Sequence, residues 1–256
     1  LVFVLDSTLQ NVPMSLLHDG ETYLIQHYGI SVIPGAQMRS PQPMNPGQLK
    51  ALIAGLSQKS PSLNSPEAPP RLLPLPQVKQ EVEQIRASIQ NAIVLLDQEF
   101  TSDRFQQSVQ QERLPILHVS THGQYSSIPE NTVLLAWDRP LNLPQLNQTL
   151  KGLSEMGQPS LELLVLSACE TARGDRRSTL GLAGIATQAG ARSTIGSLWL
   201  VDSQSTAELM RVFYQALSRG QSKAEALRTA QLALLNTLTY RHPYFWASFL
   251  LIGSWL

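Results

Sequence analysis

Two short stretches hold the residues best able to do nucleophilic chemistry. The chain has one cysteine, Cys169, where the apolar run LELLVLSA gives way to the small polar segment ETARGD. A thiolate is an intrinsically strong nucleophile, and a thiol with its ordinary pKa of about 8.5 needs only a neighbouring base to bias its proton. The candidate base is His122, which closes the β-prone run LHVST and stands directly before Gly123, a residue that lets the backbone approach a ligand closely. The two are 47 residues apart (169 − 122). If each ends its own strand and the two strands are parallel neighbours, thiol and imidazole face each other across one cleft. Taken alone, Cys169 also fits a small buried hydrophobe. Pairing with His122 is what gives it a chemical reading.

The same stretches argue against other chemistries. His118 and His122 are spaced i, i+4, but Val119, Ser120 and Thr121 stand between them on a β-prone segment, where a zinc peptidase helix would carry H-E-x-x-H. His118 lies inside the apolar run and reads as a buried histidine supporting the site. One cysteine supplies neither a CxxC cluster nor an internal disulfide, and no GxGxxG or GxxxxGK[ST] phosphate loop is present. No metal and no cofactor are expected.

A free thiol suits a reducing, cytoplasmic setting. The 19 basic and 19 acidic residues cancel, which gives no electrostatic reason to expect nucleic acid or an anionic membrane. No apolar run reaches the roughly 18 residues that span a bilayer, and no stretch has the layout of a signal peptide. The chain begins without Met in the strand-like LVFVL, so it is expected to be part of a longer protein. Arg173-Gly174-Asp175 reads as an exposed turn.

The elements that must position the two residues follow from apolar spacing. Residues 1–5 read as a buried strand, and residues 13–17 as a first helical turn opened by Pro13. Residues 23–33 read as a hairpin or edge pair broken at Gly29. Prolines forbid regular structure over 34–46, and 49–56 reads as a strand. The Pro-rich stretch near 59–76 is a surface loop. Val78, Val82, Ile85 and Ile89 fall on one face of a helix. A strand at 92–96, a helix capped near Thr101 and Asp103, a strand at 115–119, a strand at 133–137 and a helix at 143–153 come next. Beyond them lie strands at 161–168 and 193–199, helices at 180–188, 203–217 and 222–238, and a last strand at 245–252. Strands separated by helices imply a mostly parallel sheet covered on both faces, with reactive groups beyond the carboxyl ends of the strands.

Five ordered stretches carry a family resemblance: LHVSTHG, LVLSACETARGD, GLAGIATQAGARSTIGSLWLVD, LMRVFYQAL with the following KAEALRTAQ, and HPYFWASFLLIG. Looser similarity runs back through LPLPQVKQEVEQI to the N-terminus. The chain resembles caspase-like (clan CD) cysteine peptidases, and more closely the CHAT domain, a caspase-like domain often attached to tetratricopeptide repeats in bacteria. The resemblance implies an α/β fold, a caspase-like three-layer α/β/α sandwich with a mostly parallel central sheet, and a single CHAT domain over residues 1–256.

It also implies Cys169 as nucleophile with His122 as partner, and the backbone N–H groups of Gly123 and Cys169 as the oxyanion hole. A protein or peptide substrate and a regulatory domain or partner such as tetratricopeptide repeats go with it. Specificity carries over less fully. Related peptidases place an acidic residue or Gln two positions before the nucleophile, where this chain has Ser167, whose neutral hydroxyl selects neither charge. Trp199 is read either as a pocket wall or as core, and Asp202 either as a partner for a basic side chain or as the cap of the helix after it. Many family members carry a second acidic residue after this Asp, and here that position is Ser203. Alternatives are a catalytically silent caspase-like scaffold and a small-molecule-binding domain.

Overall fold

A computed structural model describes residues 1–5, 9, 12–33, 43–65, 68, 72–112, 114–124, 132–155, 161–167 and 191–256. The helix expected at 180–188, the turn at Arg173-Gly174-Asp175 and most of the irregular stretch 34–46 lie outside these residues. Along the chain run β1 (Val2–Val4), β2 (Ser31–Ile33), β3 (Lys50–Gly55), β4 (Asn91–Leu96), β5 (Ile116–Ser120), β6 (Gly123–Gln124), β7 (Val133–Leu135), β8 (Pro140–Asn142), β9 (Leu163–Leu166), β10 (Ser193–Ser197) and β11 (Phe249–Gly253). The helices are α1 (Gln77–Ser88), α2 (Ser102–Glu112), α3 (Leu143–Glu155), α4 (Ser203–Ser218), α5 (Lys223–Leu235) and the short α6 (Pro243–Trp246).

Among the described residues eight strands form one sheet in the order β1-β2-β11-β10-β9-β5-β3-β4. Every adjacent pair is parallel except β10 and β11. Because side chains alternate across a strand, β5 sends Ile116 to one face and Leu117 and Val119 to the other. On the first face Ile53, Ile116, Val165 and Ile195 pack with Val82 and Ile85 of α1, Leu209 and Phe213 of α4 and Leu227 of α5. On the second, Leu52, Val119 and Leu164 pack with Phe105 of α2 and Leu146 of α3. The result is the expected three-layer α/β/α sandwich with a mostly parallel sheet.

Several local expectations are corrected. β1 is an edge strand rather than a buried one, and Val4 is 65% exposed. No hairpin forms over 23–33: residues Leu24–Gln26 make a single 3-10 turn, and β2 pairs in parallel with both β1 and β11. The last strand starts at Phe249, not 245. His242 accepts a hydrogen bond from the Tyr244 N–H, and Pro243 opens a helical turn that occupies the residues before it. β7 joins β6 and β8 in a separate antiparallel sheet rather than the main one. The Pro-rich stretch near 59–76 carries a 3-10 turn at Pro61–Asn64 with Ser62 buried.

The seating of α1 on β3 depends on Gly55. A Cβ there would lie 2.8 Å from Val78 Cγ1 and 2.9 Å from Val82 Cγ2. Both are stiff β-branched side chains on α1. Gly55→Val is therefore expected to push α1 outward and to lower stability by about 1–3 kcal/mol, read from the urea midpoint. An unchanged midpoint would contradict this close packing.

Candidate active site

β5 and β9 are neighbours, and they are parallel. Ile116 pairs with Leu163, Leu117 with Leu164, His118 with Val165 and Val119 with Leu166, a constant offset of 47 residues (163 − 116). The ladder runs one step further, where the Ser167 N–H donates to the Val119 carbonyl at 3.1 Å. Both strands thus deliver their carboxyl ends to the same edge of the sheet. Cys169 and the ETARGD segment after it lie outside the described residues.

His122 sits two residues past the end of β5 and is only 7% exposed. Its ring meets the Leu73 carbonyl at 2.6 Å through Nε2. A carbonyl is only an acceptor, so Nε2 carries the hydrogen and the neutral ring has its basic lone pair on Nδ1. Leu73 lies in the segment that enters α1, so the Pro-rich stretch brings an acceptor to the site. The backbone after β5 is pinned as well. The Leu135 N–H donates to the His122 carbonyl at 2.9 Å, and the Thr121 hydroxyl donates to the Leu135 carbonyl at 2.6 Å. Gly123 pairs with Leu134 in the next register position. Hydrogen-bonded and non-hydrogen-bonded pairs alternate along an antiparallel ladder, so the Gly123 N–H turns away from β7.

Below this edge lies a buried polar group. The His118 ring meets Tyr214 OH at 3.1 Å through Nδ1, and through Nε2 it meets Glu81 Oε1 at 3.0 Å and Ser167 Oγ at 3.2 Å. The Ser120 hydroxyl donates to Glu81 Oε2 at 2.8 Å. All five residues are buried, with Glu81 the most exposed at 2%. Burial, reinforced by the Glu81 charge, pushes the Tyr214 phenol well above its ordinary pKa. It stays protonated, and it donates to His118 Nδ1 when the imidazole directs its Nε2 hydrogen toward Glu81.

The expected site residues fall out unevenly. His118 is buried, as expected. Ser167 is not on an open surface: it is fully buried and its hydroxyl is engaged by His118, because it shares the β9 face of Val165, which points into the α1 and α4 layer. Asp202 caps α4, accepting from the Ser205 N–H at 2.8 Å. Trp199 packs against the core while its indole N–H donates to the Tyr244 carbonyl at 3.0 Å, and it remains partly exposed. Sequence reasoning missed Glu81 and Tyr214. Glu81 had a signal: it stands three residues after Val78 and four before Ile85, a carboxylate on the apolar face of its helix. Among the described residues no three His, Cys, Asp or Glu side chains gather to hold a metal ion, and no helix is long and apolar enough to cross a membrane.

Comparison with known proteins agrees with the motif reading. The family model of the CHAT domain matches residues 1–254. Tetratricopeptide repeat protein 28 of Mus musculus is 32% identical over 98 residues, which is 37% of this chain and 4% of that protein. Its Homo sapiens counterpart is 35% identical over 66 residues, 26% of this chain and 3% of that protein. The chain therefore spans only a small part of these relatives. Among solved structures, the Arg-specific cysteine proteinase gingipain R superposes with a TM-score of 0.54 at 8% identity, covering 81% of this chain and 46% of that one. At that identity the likeness concerns the fold, which is of the caspase-like α/β type.

Proposed function

Because the chain belongs to the CHAT domain family, we propose that it is a caspase-like cysteine endopeptidase in which Cys169 and His122 form the catalytic dyad. The observation that carries this reading is the β5–β9 register. Its offset of 47 residues equals the separation of His122 and Cys169, so the two residues stand the same number of steps beyond the same pair of rungs. Chain connectivity adds a limit, since Cys169 is two residues from Ser167 and their Cα atoms are at most about 7.6 Å apart.

The chemistry follows from the hydrogen-bonding of His122. With Nε2–H committed to the Leu73 carbonyl, Nδ1 takes the thiol proton. The thiolate attacks the scissile carbonyl carbon, and the electron pair displaced onto oxygen is held by the N–H groups of Gly123 and Cys169. The imidazolium returns its proton to the leaving amine as the C–N bond breaks, leaving a thioester on Cys169. Water then attacks the thioester, with His122 taking one proton and giving it to sulfur, and the acid is released. A side chain at position 123 would crowd the carbonyl, which is why a glycine serves there.

Substrate selection at P1 does not come from the Ser167 hydroxyl, which His118 already engages, and the Asp202 carboxylate is used in capping α4. Trp199 is left as a candidate pocket wall. Regulation by attached tetratricopeptide repeats or a partner accords with the relatives. A P1-diverse peptide library incubated with the full-length protein and its partner tests this function. Cleavage concentrated at one or a few P1 residues is expected. Its absence in the partner-bound state would favour a silent scaffold.

A further inference from the structure

Ser120 stands two residues before His122, and Ser167 stands two residues before Cys169. Both hydroxyls belong to the buried group below the site, and Glu81 is the member that joins them. Its Oε2 accepts from Ser120, and its Oε1 meets the His118 nitrogen that Ser167 also contacts. A carboxylate is costly to bury on a helix face otherwise made of Val78, Val82 and Ile85 unless every oxygen is used. Here each oxygen holds a different residue of β5, and Ser167 at the end of β9 is reached through His118. The titratable groups that face it are His118 from β5 and Tyr214 from α4.

The segment that leads into α1 touches the His122 arm at a second point. Leu73, on the segment leading into this helix, supplies the carbonyl that fixes the His122 ring. A displacement of α1 would therefore act twice, by loosening the end of β5 through Ser120 and by withdrawing the acceptor from Nε2. An interaction of 2.6 Å between ring and carbonyl tolerates little such movement.

We propose that Glu81 is a positioning residue for the dyad, clamping α1 to the carboxyl ends of β5 and β9 so that the Leu73 carbonyl holds His122 in its working orientation. The inference rests on the Cys169–His122 reading of the site. Glu81 touches no reacting atom in this scheme; it acts through Ser120, His118 and the backbone of α1.

The test reads Cys169 itself, through the mass of the tryptic fragment that carries it. The rate of Cys169 alkylation by iodoacetamide is measured on the full-length protein from about pH 5 to pH 9, a range that brackets an ordinary thiol and a base-assisted one. The parent is expected to keep a reactive arm at low pH that His122→Ala removes. Glu81→Leu, which packs in the same space but accepts no hydrogen bond, is expected to slow alkylation at pH 7 about tenfold, to the level of His122→Ala. Glu81→Gln, which offers one acceptor and one donor to the same neighbours, is expected to stay within about threefold of the parent. Ser120→Ala should fall between the two.

A merely structural role would lower thermal stability and leave the pH profile in place. A folded Glu81→Leu protein with the parent's profile overturns the proposal. If Glu81→Leu does not fold, a Ser120→Ala protein with the parent's profile overturns it. A parent profile that is already indifferent to His122→Ala would overturn the dyad, and the role of Glu81 with it. A profile that depends on His122 but not on Glu81 or Ser120 would overturn this inference alone.

Discussion

Cys169→Ala is expected to abolish peptide cleavage by the full-length protein, with a loss of at least about ten-thousand-fold, while the melting transition stays near that of the parent. The substitution removes one sulfur atom, whereas the eight-stranded sheet and its two helical layers are built from other residues. His122→Ala should lose activity on a similar scale, because a thiol without its base is mostly protonated at neutral pH and no acid remains to protonate the leaving amine. The two losses should not add. Residues that act as one unit fail together, so the double variant is expected to be no worse than Cys169→Ala. Initial rates on the preferred library peptide provide the measurement. Equal turnover by Cys169→Ala and parent would remove the cysteine from the mechanism.

The largest expected gain in stability comes from Lys223→Met. Lys223 is fully buried, and its Nζ has no hydrogen-bond partner among the described residues. It also occupies the first position of α5, where the helix dipole disfavours a cation. Burial lowers its pKa from 10.5 to about 8; the nearby Glu162 opposes that change and Arg192 adds to it. A lysine that holds its proton less tightly when folded weakens the fold wherever the unfolded chain is protonated. The penalty is complete below pH 8 and shrinks as pH rises from about 8 toward 10.5. It is on the order of 3 kcal/mol. Met fills the same narrow space without a charge, so urea unfolding at pH 7 should show a more stable variant. The parent should gain stability between pH 8 and pH 10, and the variant should not gain it. A destabilised Lys223→Met protein at pH 7 would mean that the ammonium is held by an interaction worth more than its desolvation.

Much of the architecture was legible because apolar spacing reports burial directly. The face of α1 and the runs that become β3, β5 and β9 stand out in this way, and their alternation with helices is enough to imply a parallel sheet. Strands of two or three residues have no such period, so β6 and β8 left no trace, and a short run such as VFV reads the same whether it is central or at an edge. The direction of β11 was hidden for a different reason. Three helices, α4, α5 and the short α6, separate it from β10, and nothing in their spacing says whether the chain returns parallel or antiparallel.

The site divides in the same way. His122 and its glycine were legible because a polar pair breaks an apolar run. The acceptor for His122 was not, since a backbone carbonyl can come from any residue, and Leu73 sits in a stretch whose prolines suggest only a loop. Ser167 enters the substrate side only through the family resemblance, as the residue two positions before Cys169. The strand pairing instead turns it toward His118, because Ser167 has the facing of Val165 and continues the same ladder. Glu81 could have been suspected from its place on an apolar helix face, but its partners lie 37 and 39 residues away. Only the fold brings them together.

The most direct test of the dyad is covalent labelling of the full-length, partner-bound protein with an electrophilic peptide, read as the mass of the modified tryptic fragment. A single adduct on Cys169, lost in His122→Ala and retained when His118 is replaced by Gln, is the predicted result. Labelling of Cys169 at the same rate with His122 removed would contradict the account.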